Sequence, residues 1–239
     1  MGSNLQGGKA LILGATGGMG KAVALELAKQ GVTAGLAGRD TKKLDHVCEL
    51  CRDAGGDALP VELDMTRLDD LEGAVEHAVE LLGGLYYLIN CAGTHVSAKA
   101  YGADLSAWDH MLDTNFRGFV HVARHALPEI NKSGRGAVIT IGSITSAYPG
   151  AGMQIAARRA LAGYCEVMFE DVREFGTKVC VLNPGYVNTP MVRSDRLDRS
   201  RMIQPEDIAR TVSFVLQMSA TACPTEITIR PQRTPYITR

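Results

Sequence analysis

The chain has little of what marks several large classes of protein. Of its 239 residues only 5% are aromatic, and acidic and basic residues nearly cancel to a net charge of -1. Nucleic-acid-binding proteins usually carry a strongly basic face, so this balance argues against that function. No apolar run approaches the ~18 residues that a membrane-spanning helix requires. The first residues also lack the basic-then-apolar order of a signal peptide. We therefore predict no nucleic-acid partner, no membrane segment and a cytoplasmic location.

The six cysteines do not form an evident disulfide or metal framework. A chain of this length can bury a core without disulfides. Several of the cysteines lie in apolar runs, where a thiol acts as a small apolar side chain. Cys48 and Cys51 have helical spacing but lack two further ligands for zinc. We predict free thiols in a reducing compartment and no metal site.

Glycine, in contrast, is abundant, and short apolar runs alternate regularly with longer amphipathic runs. There are 26 glycines, about 11% of the chain against a usual level of about 7%. The apolar runs predict strands at 10–13, 32–37, 58–63, 85–89, 137–141, 178–182 and 226–230. The amphipathic runs predict helices at 21–30, 41–53, 68–82, 105–130, 152–175 and 206–218.

This alternation predicts an α/β fold: a Rossmann-type, doubly wound parallel sheet of about seven strands with helices on both faces. No linker divides the chain and no internal repeat is visible. We therefore predict a single domain over 8–239, preceded by a flexible lead-in at 1–7. In such a sheet ligands bind outside the carboxyl ends of the strands.

A glycine-rich turn follows the first predicted strand and opens the first helix. Small residues there allow the backbone to turn sharply and to approach a pyrophosphate, while the helix directs its N-terminal amides at the negative charge. The strand–turn–helix context is the one that a dinucleotide-binding motif requires. The candidate cofactor residues in this turn are Gly14, Thr16, Gly18, Met19 and Gly20.

The spacing Gly-x-x-x-Gly-x-Gly in this turn resembles that of the short-chain dehydrogenase/reductase family. Asn90-Cys91-Ala92-Gly93 stands after the fourth strand, where the family has Asn-Asn-Ala-Gly. Further matches follow in chain order over essentially the whole sequence. They are Asp64 with Met65 after the third strand, Asn115 in Thr-Asn-Phe-Arg-Gly, Ser143 after the fifth strand, and Pro184, Gly185, Val187 and Thr189 after the sixth.

The resemblance implies what each of these residues does. Asp64 would contact adenine, Asn115 and Ser143 would be catalytic, and the segment from Pro184 to Thr189 would hold the nicotinamide. The resemblance further implies a small-molecule substrate, a substrate lid at about 188–204 and a homo-oligomer, either a dimer or a tetramer.

Arg39 indicates which dinucleotide is bound. Family members that use NAD have a carboxylate at the end of the second strand, and here that position is Gly38, followed by Arg39. A guanidinium suits a 2′-phosphate through charge-assisted hydrogen bonds. We therefore predict NADP(H) in preference to NAD(H). The alternative is that Arg39 and Asp40 form a solvated loop, with Asp40 capping the next helix.

The sequence departs from the family at the reaction centre. The family has a proton-donating Tyr and, four residues later, a Lys that holds the nicotinamide ribose. Aligning the flanking segments places Gln154 and Arg158 there, whereas counting the usual interval from Ser143 places Ala156 and Ala160 there. We prefer Gln154 and Arg158 because two flanking landmarks agree.

Neither alignment supplies the usual acid. A Gln amide donates a hydrogen bond but no proton, and the pKa of an Arg, above about 12, bars it from a proton relay. Replacement acids are His95, Tyr148 and Tyr186, which could equally be a solvated loop histidine and two pocket walls.

The predicted function is an NADP(H)-dependent reductase acting on a small carbonyl- or imine-like substrate with a non-standard proton donor. An iminium substrate would need only hydride. The alternative is a catalytically altered member of the family that acts as a cofactor-binding sensor or partner protein, or as a non-redox enzyme.

Overall fold

The structure is a computed structural model that describes residues 4–144, 150–192 and 194–237. Seven strands form one parallel sheet in the order β3-β2-β1-β4-β5-β6-β7. Their bounds are β1 Lys9–Leu13, β2 Thr33–Gly38, β3 Asp57–Glu62, β4 Tyr87–Asn90, β5 Ala137–Ile141, β6 Lys178–Pro184 and β7 Glu226–Ile229. The predicted fold class is confirmed.

Within the described residues, seven helices cover the two faces of the sheet. They are α1 Gly18–Lys29, α2 Thr41–Asp53, α3 Leu71–Leu82, α4 Leu105–Leu112, α5 Gly118–Lys132, α6 Gly152–Val172 and α7 Pro205–Gln217. The buried side chains of α1, α2 and α7 belong to one apolar core, and those of α3, α5 and α6 belong to the other.

The strands are buried on both sides, which explains why they read as continuous apolar runs. In β1, Ala10 and Ile12 face one core while Leu11 and Leu13 face the other, and all four are fully buried. Each large apolar side chain buried in this way stabilises the fold by roughly 1.5–3 kcal/mol. Because β1 is an inner strand of the sheet, the turn that follows it lies within the carboxyl edge of the sheet and not at its side.

The long helix predicted at 105–130 is interrupted. A π-helical turn at Asp113–Arg117 separates α4 from α5, and Asn115 within it is fully buried. The Asn115 side chain accepts a hydrogen bond from the Thr94 N–H at 2.8 Å and donates one to the Thr94 carbonyl at 2.9 Å. The predicted helical stretch is therefore confirmed, with a π turn inside it that holds Asn115 in a contact with a residue 21 positions away.

The described part of the predicted flexible lead-in is packed onto the domain. Leu5 is buried in a core. The Gly7 N–H donates to the Gly31 carbonyl at 2.9 Å, and the Gly8 N–H donates to Leu5 at the same distance. Residues 5–7 thus belong to the folded domain, because a buried leucine and backbone pairing hold them there.

Candidate active site

A cleft opens where the strand order reverses between β1 and β4. In parallel α/β sheets this switch point is where the crossover helices leave in opposite directions, and it is the usual place for a ligand. The cleft has a volume of about 420 Å³. Its lining residues are Gly14, Thr16–Met19, Ala37–Arg39, Leu63–Met65, Cys91–Thr94, His110, Thr114 and Thr189–Met191.

The glycine turn at the centre of the cleft has no room for a side chain at three of its glycines. Gly14 has a φ of +70°, and a Cβ on it would lie 2.8 Å from the backbone of Ala92. A Cβ on Gly18 would lie 2.9 Å from Cγ2 of Thr189, and one on Gly20 would collide with the Gly14 carbonyl. Each glycine is therefore required by close packing of the turn.

The amino end of α1 faces this turn. Gly17 is the N-cap residue and has no side-chain capping hydrogen bond. The first amides of a helix have no intrahelical acceptor, and the helix dipole favours an anion there. The turn thus offers donors and a partial positive charge without filling the cleft, as a pyrophosphate requires.

The loops after β2 and β3 form one end of the cleft. Arg39 is exposed there and makes no hydrogen bond or ion pair with any residue that the structure describes. Asp40, in contrast, caps α2: its carboxylate accepts from the Lys43 N–H at 3.1 Å and lies 2.9 Å from Lys43 Nζ. The Asp40 carboxylate is thus already paired within α2, whereas the Arg39 guanidinium is available to a ligand in the cleft.

Asp64 is held ionised at the same end. Its Oδ1 accepts hydrogen bonds from the Thr66 N–H at 3.0 Å and the Thr66 hydroxyl at 2.8 Å. Burial raises the pKa of Asp64, but these hydrogen bonds and the positive charge of Arg39 outweigh it and keep the pKa below its usual value. A carboxylate is therefore available beside Arg39.

Some predicted cofactor residues lie behind the cleft instead of lining it. Asn90 is fully buried, donates to the Thr140 hydroxyl at 3.0 Å and accepts from the Ala92 N–H at 3.1 Å. It holds the turn after β4. Gly20, packed against Gly14 beneath the glycine turn, has a similar supporting position.

The segment after β6 is packed against the rest of the domain. A Cβ on Gly185 would lie 2.9 Å from Cδ of Pro231, so its missing side chain makes room for that proline and not for a dinucleotide. Val187 is 5% exposed and bridges to Ile203. The Pro184 carbonyl accepts from the Ile144 N–H at 3.0 Å. Of the predicted residues in this segment, Thr189 reaches the cleft lining.

Ser143 and Arg158 both lie near the carboxyl end of β5. The Ser143 N–H donates to Asn183 Oδ1 at 3.1 Å, and its hydroxyl makes a long 3.4 Å contact with the Ile144 carbonyl. Nη1 of Arg158 donates to the Ile141 carbonyl at 2.6 Å. Burial lowers the pKa of Arg158 to about 10, so the guanidinium is cationic at neutral pH.

The guanidinium of Arg158 also backs the cleft wall. A Cβ on Gly93 would lie 2.9 Å from Arg158 Nη2 and 3.4 Å from Asn115 Oδ1. Gln154 stands one helical turn before Arg158 and, like it, is half-buried, whereas Ala156 is exposed. The helix therefore brings position 158 to the end of β5.

The three candidate replacement acids have different surroundings. His95 is exposed on the loop after β4 and does not line the cleft. The Tyr186 hydroxyl lies 2.8 Å from the Tyr236 hydroxyl, and the two rings meet edge to face at 5.8 Å. Tyr148 lies outside the described residues.

Several cleft residues were missed by the sequence reasoning. His110 and Thr114 enter from the end of α4, and Thr114 Oγ1 donates to the His110 carbonyl at 2.9 Å. Their spacing of four indicates a shared helix face, but nothing local says that this face borders the cleft. Cys91 also lines it, and burial raises the pKa of its thiol to about 12, so it is neutral.

The described residues contain no group of three or more metal-ligating side chains. None of their helices combines the length and apolar character needed to cross a bilayer. All six cysteines are free thiols.

The fold and cleft define a dinucleotide-binding α/β protein, and the comparisons with known proteins place it more narrowly. Residues 8–200 match the family model described as short chain dehydrogenase. The chain belongs to the short-chain dehydrogenase family and is an oxidoreductase of that type.

Individual relatives match along nearly the whole chain. An uncharacterized oxidoreductase of Staphylococcus haemolyticus is 30% identical over 232 residues, covering 96% of this chain and 99% of the relative. A dehydrogenase/reductase from Sinorhizobium meliloti superposes with a TM-score of 0.88 at 28% identity, covering 95% of both chains. A short chain dehydrogenase from Burkholderia cenocepacia, solved in complex with NADP, has a TM-score of 0.88 at 24% identity, covering 96% and 98%.

Proposed function

We propose that this protein is an NADP(H)-dependent reductase of small carbonyl- or imine-like substrates that works without the family's usual proton donor. The observation that carries the cofactor preference is Arg39. Its guanidinium lines the cleft without an ion-pair partner among the described residues, while the neighbouring Asp40 is committed to capping α2. A carboxylate at the strand end would repel a 2′-phosphate, whereas Arg39 attracts one.

The remaining cofactor contacts follow from the cleft. The turn from Gly14 to Gly18, with the amides of α1, would hold the pyrophosphate. Asp64 would accept from the adenine, and Thr189 would border the nicotinamide. That the Burkholderia cenocepacia structure of the same fold holds NADP is consistent with this assignment, which rests on the residues of this chain.

The reaction centre can polarise a substrate but has no evident acid among these positions. When bound, the reduced cofactor supplies a hydride. Ser143 and Gln154 can donate hydrogen bonds to a substrate oxygen, Asn115 supports the loop beside them, and Arg158 can hold a ribose hydroxyl. A carbonyl substrate also needs a proton at its oxygen, whereas an iminium substrate needs none. As far as proton supply is concerned, the reaction centre therefore suits substrates that need no proton, such as iminium ions.

A calorimetric titration tests the cofactor preference. Wild-type protein is expected to bind NADPH more tightly than NADH, and Arg39→Ser should weaken NADPH binding about 10- to 100-fold while leaving NADH unchanged, since a phosphate–guanidinium pair is lost. Lys42→Ser, which removes a nearby cation from α2, is the matched control and should change little. Absence of NADPH binding to the wild type would overturn the proposal.

A second measurement tests the substrate class. NADPH oxidation is followed with a panel of ketones, enones and preformed iminium ions. Turnover restricted to the iminium ions supports the proposal, and turnover of ketones at ordinary family rates would show that another residue supplies the proton. His95→Gln and Tyr186→Phe would then identify it.

The alternative is a cofactor-binding sensor or partner protein. Gln154 at the proposed position of the acid supports it, because a Gln side chain cannot deliver a proton. Such a protein would bind NADPH without turning over any member of the panel. Its association state, which the family resemblance leads us to expect to be a dimer or tetramer, should change on binding. Sedimentation velocity with and without NADPH separates the two functions.

A further inference from the structure

Arg158 is a cation at the back of the reaction centre, and the described residues provide no counter-ion for it. Nη1 is used by the Ile141 carbonyl at 2.6 Å, but the buried Nε has no acceptor. No carboxylate in the described part of the chain lies within ion-pair distance of it. Removing a cation from water without pairing it is costly. The positive potential of Arg158 therefore acts on whatever the cleft holds.

The strand order tells which part of a dinucleotide would experience this potential. Arg39 and Asp64 lie after β2 and β3, on one side of the glycine turn. Arg158 lies on the other side, against the end of β5 and directly behind Gly93, which lines the cleft. With the pyrophosphate on the turn and the adenosine toward Arg39, the nicotinamide half must extend toward Arg158.

The nicotinamide ring changes charge with its redox state. The oxidised ring carries a positive charge, and the reduced dihydronicotinamide is neutral. Like charges repel more strongly in a partly buried site than in water because the local dielectric constant is lower. Position 154 cannot offset the repulsion, because a Gln side chain has no anionic form.

We propose that Arg158 makes the site selective for the reduced cofactor, so that NADPH binds and NADP⁺ is disfavoured. This inference rests on the proposed NADP(H) binding. Selectivity of this kind favours the reductive direction, because the reactant is retained and the oxidised product is released. In a sensor it would report the reduced fraction of the cofactor pool.

The test compares the two dissociation constants on the same protein preparation by calorimetry. Wild type is expected to bind NADPH about tenfold more tightly than NADP⁺, or more. Arg158→Gln should lower this ratio about tenfold, mainly by improving NADP⁺ binding, because the repulsive charge is gone. Arg158→Lys keeps the charge and should retain most of the ratio.

Arg159→Gln is the matched control, since it removes an exposed cation from the next position of α6 and should leave the ratio unchanged. A ratio of two constants does not depend on the fraction of folded protein, so modest destabilisation of Arg158→Gln does not obscure the result. Equal binding of both forms by the wild type, or an unchanged ratio in Arg158→Gln, overturns the inference while leaving the proposed function intact. Binding of neither form overturns the proposed function itself.

Discussion

The glycine turn at the centre of the cleft has the family's glycine spacing, whereas at the reaction end we propose that two residues differ from the family. The glycine turn depends on backbone packing: Gly14 and Gly18 are excluded from carrying side chains by atoms 2.8–2.9 Å away. The reaction end depends on side-chain chemistry, and there we propose that Gln154 and Arg158 take the places of the family's Tyr and Lys. On this proposal, a constraint imposed by packing persists in this chain while one imposed by proton transfer does not.

Restoring the family's Tyr and Lys at positions 154 and 158 tests this contrast most directly. The double variant Gln154→Tyr with Arg158→Lys should raise the rate of ketone reduction by about 10² to 10⁴, the usual contribution of a general acid. NADPH oxidation measures it. The matched control is Ala156→Tyr with Ala160→Lys, the pair given by the other alignment, which should gain nothing. A gain from the control pair instead would show that the wrong positions were assigned.

The glycine turn should tolerate substitution far less well. Gly14→Ala forces a side chain into a backbone with a φ of +70° and against Ala92, so we expect a loss of stability on the order of 2–4 kcal/mol and at least about tenfold weaker NADPH binding. Chemical denaturation and calorimetry measure these. Gly73→Ala, on the exposed face of α3 with no atom within 4 Å of its Cβ, should instead stabilise by about 0.5–1 kcal/mol. Similar effects at both glycines would refute the packing explanation.

Asn115 supports the cleft from outside, because its side chain links the π turn to the loop at Thr94 that borders the cleft. Asn115→Ala leaves the Thr94 N–H and carbonyl without their partners, which should cost about 1–3 kcal/mol. For a chain of this size that corresponds to a fall in Tm of about 2–4 °C per kcal/mol. Asn131→Ala, which removes a single half-buried hydrogen bond to Thr177, should cost less. An unchanged Tm in Asn115→Ala would deny it this supporting role.

The smallest expected effect per residue concerns the buried thiols, including Cys91 in the cleft. Burial raises the pKa of Cys91, Cys165 and Cys180 to about 12 and that of Cys48 and Cys51 to about 11. In the unfolded chain a thiol ionises near pH 8.5. The stability from each thiol is therefore complete below about pH 8.5 and declines as the pH rises toward its folded pKa.

Between pH 7.5 and 9.5 the free energy of unfolding should fall by on the order of 1 kcal/mol per buried thiol. Denaturation curves at the two pH values measure this fall. Cys91→Ser should reduce it by the contribution of one thiol, because a serine does not titrate in this range. Stability that stays level up to pH 9.5 would contradict the burial of these thiols.

Local pattern was sufficient wherever the deciding contacts are local. The spacing of Leu44, Val47, Cys48 and Cys51 predicts one buried face for a helix at 41–53, and α2 has those bounds and buries those four residues. The apolar strand after which the glycine turn comes is likewise visible in the sequence. Helical periodicity and continuous burial are properties of neighbouring residues, so they can be read without knowing the rest of the fold.

Tertiary structure decided what depends on distant partners. The sequence gives no sign that Gly185 makes room for Pro231, that Asn115 requires a π turn to reach Thr94, or that His110 borders the cleft. The sequence does determine that position 158 is an arginine and position 154 a glutamine. Only the fold determines that this arginine stands behind Gly93 without a counter-ion among the described residues, because the contacts of a buried charge are set by packing between elements far apart in the chain.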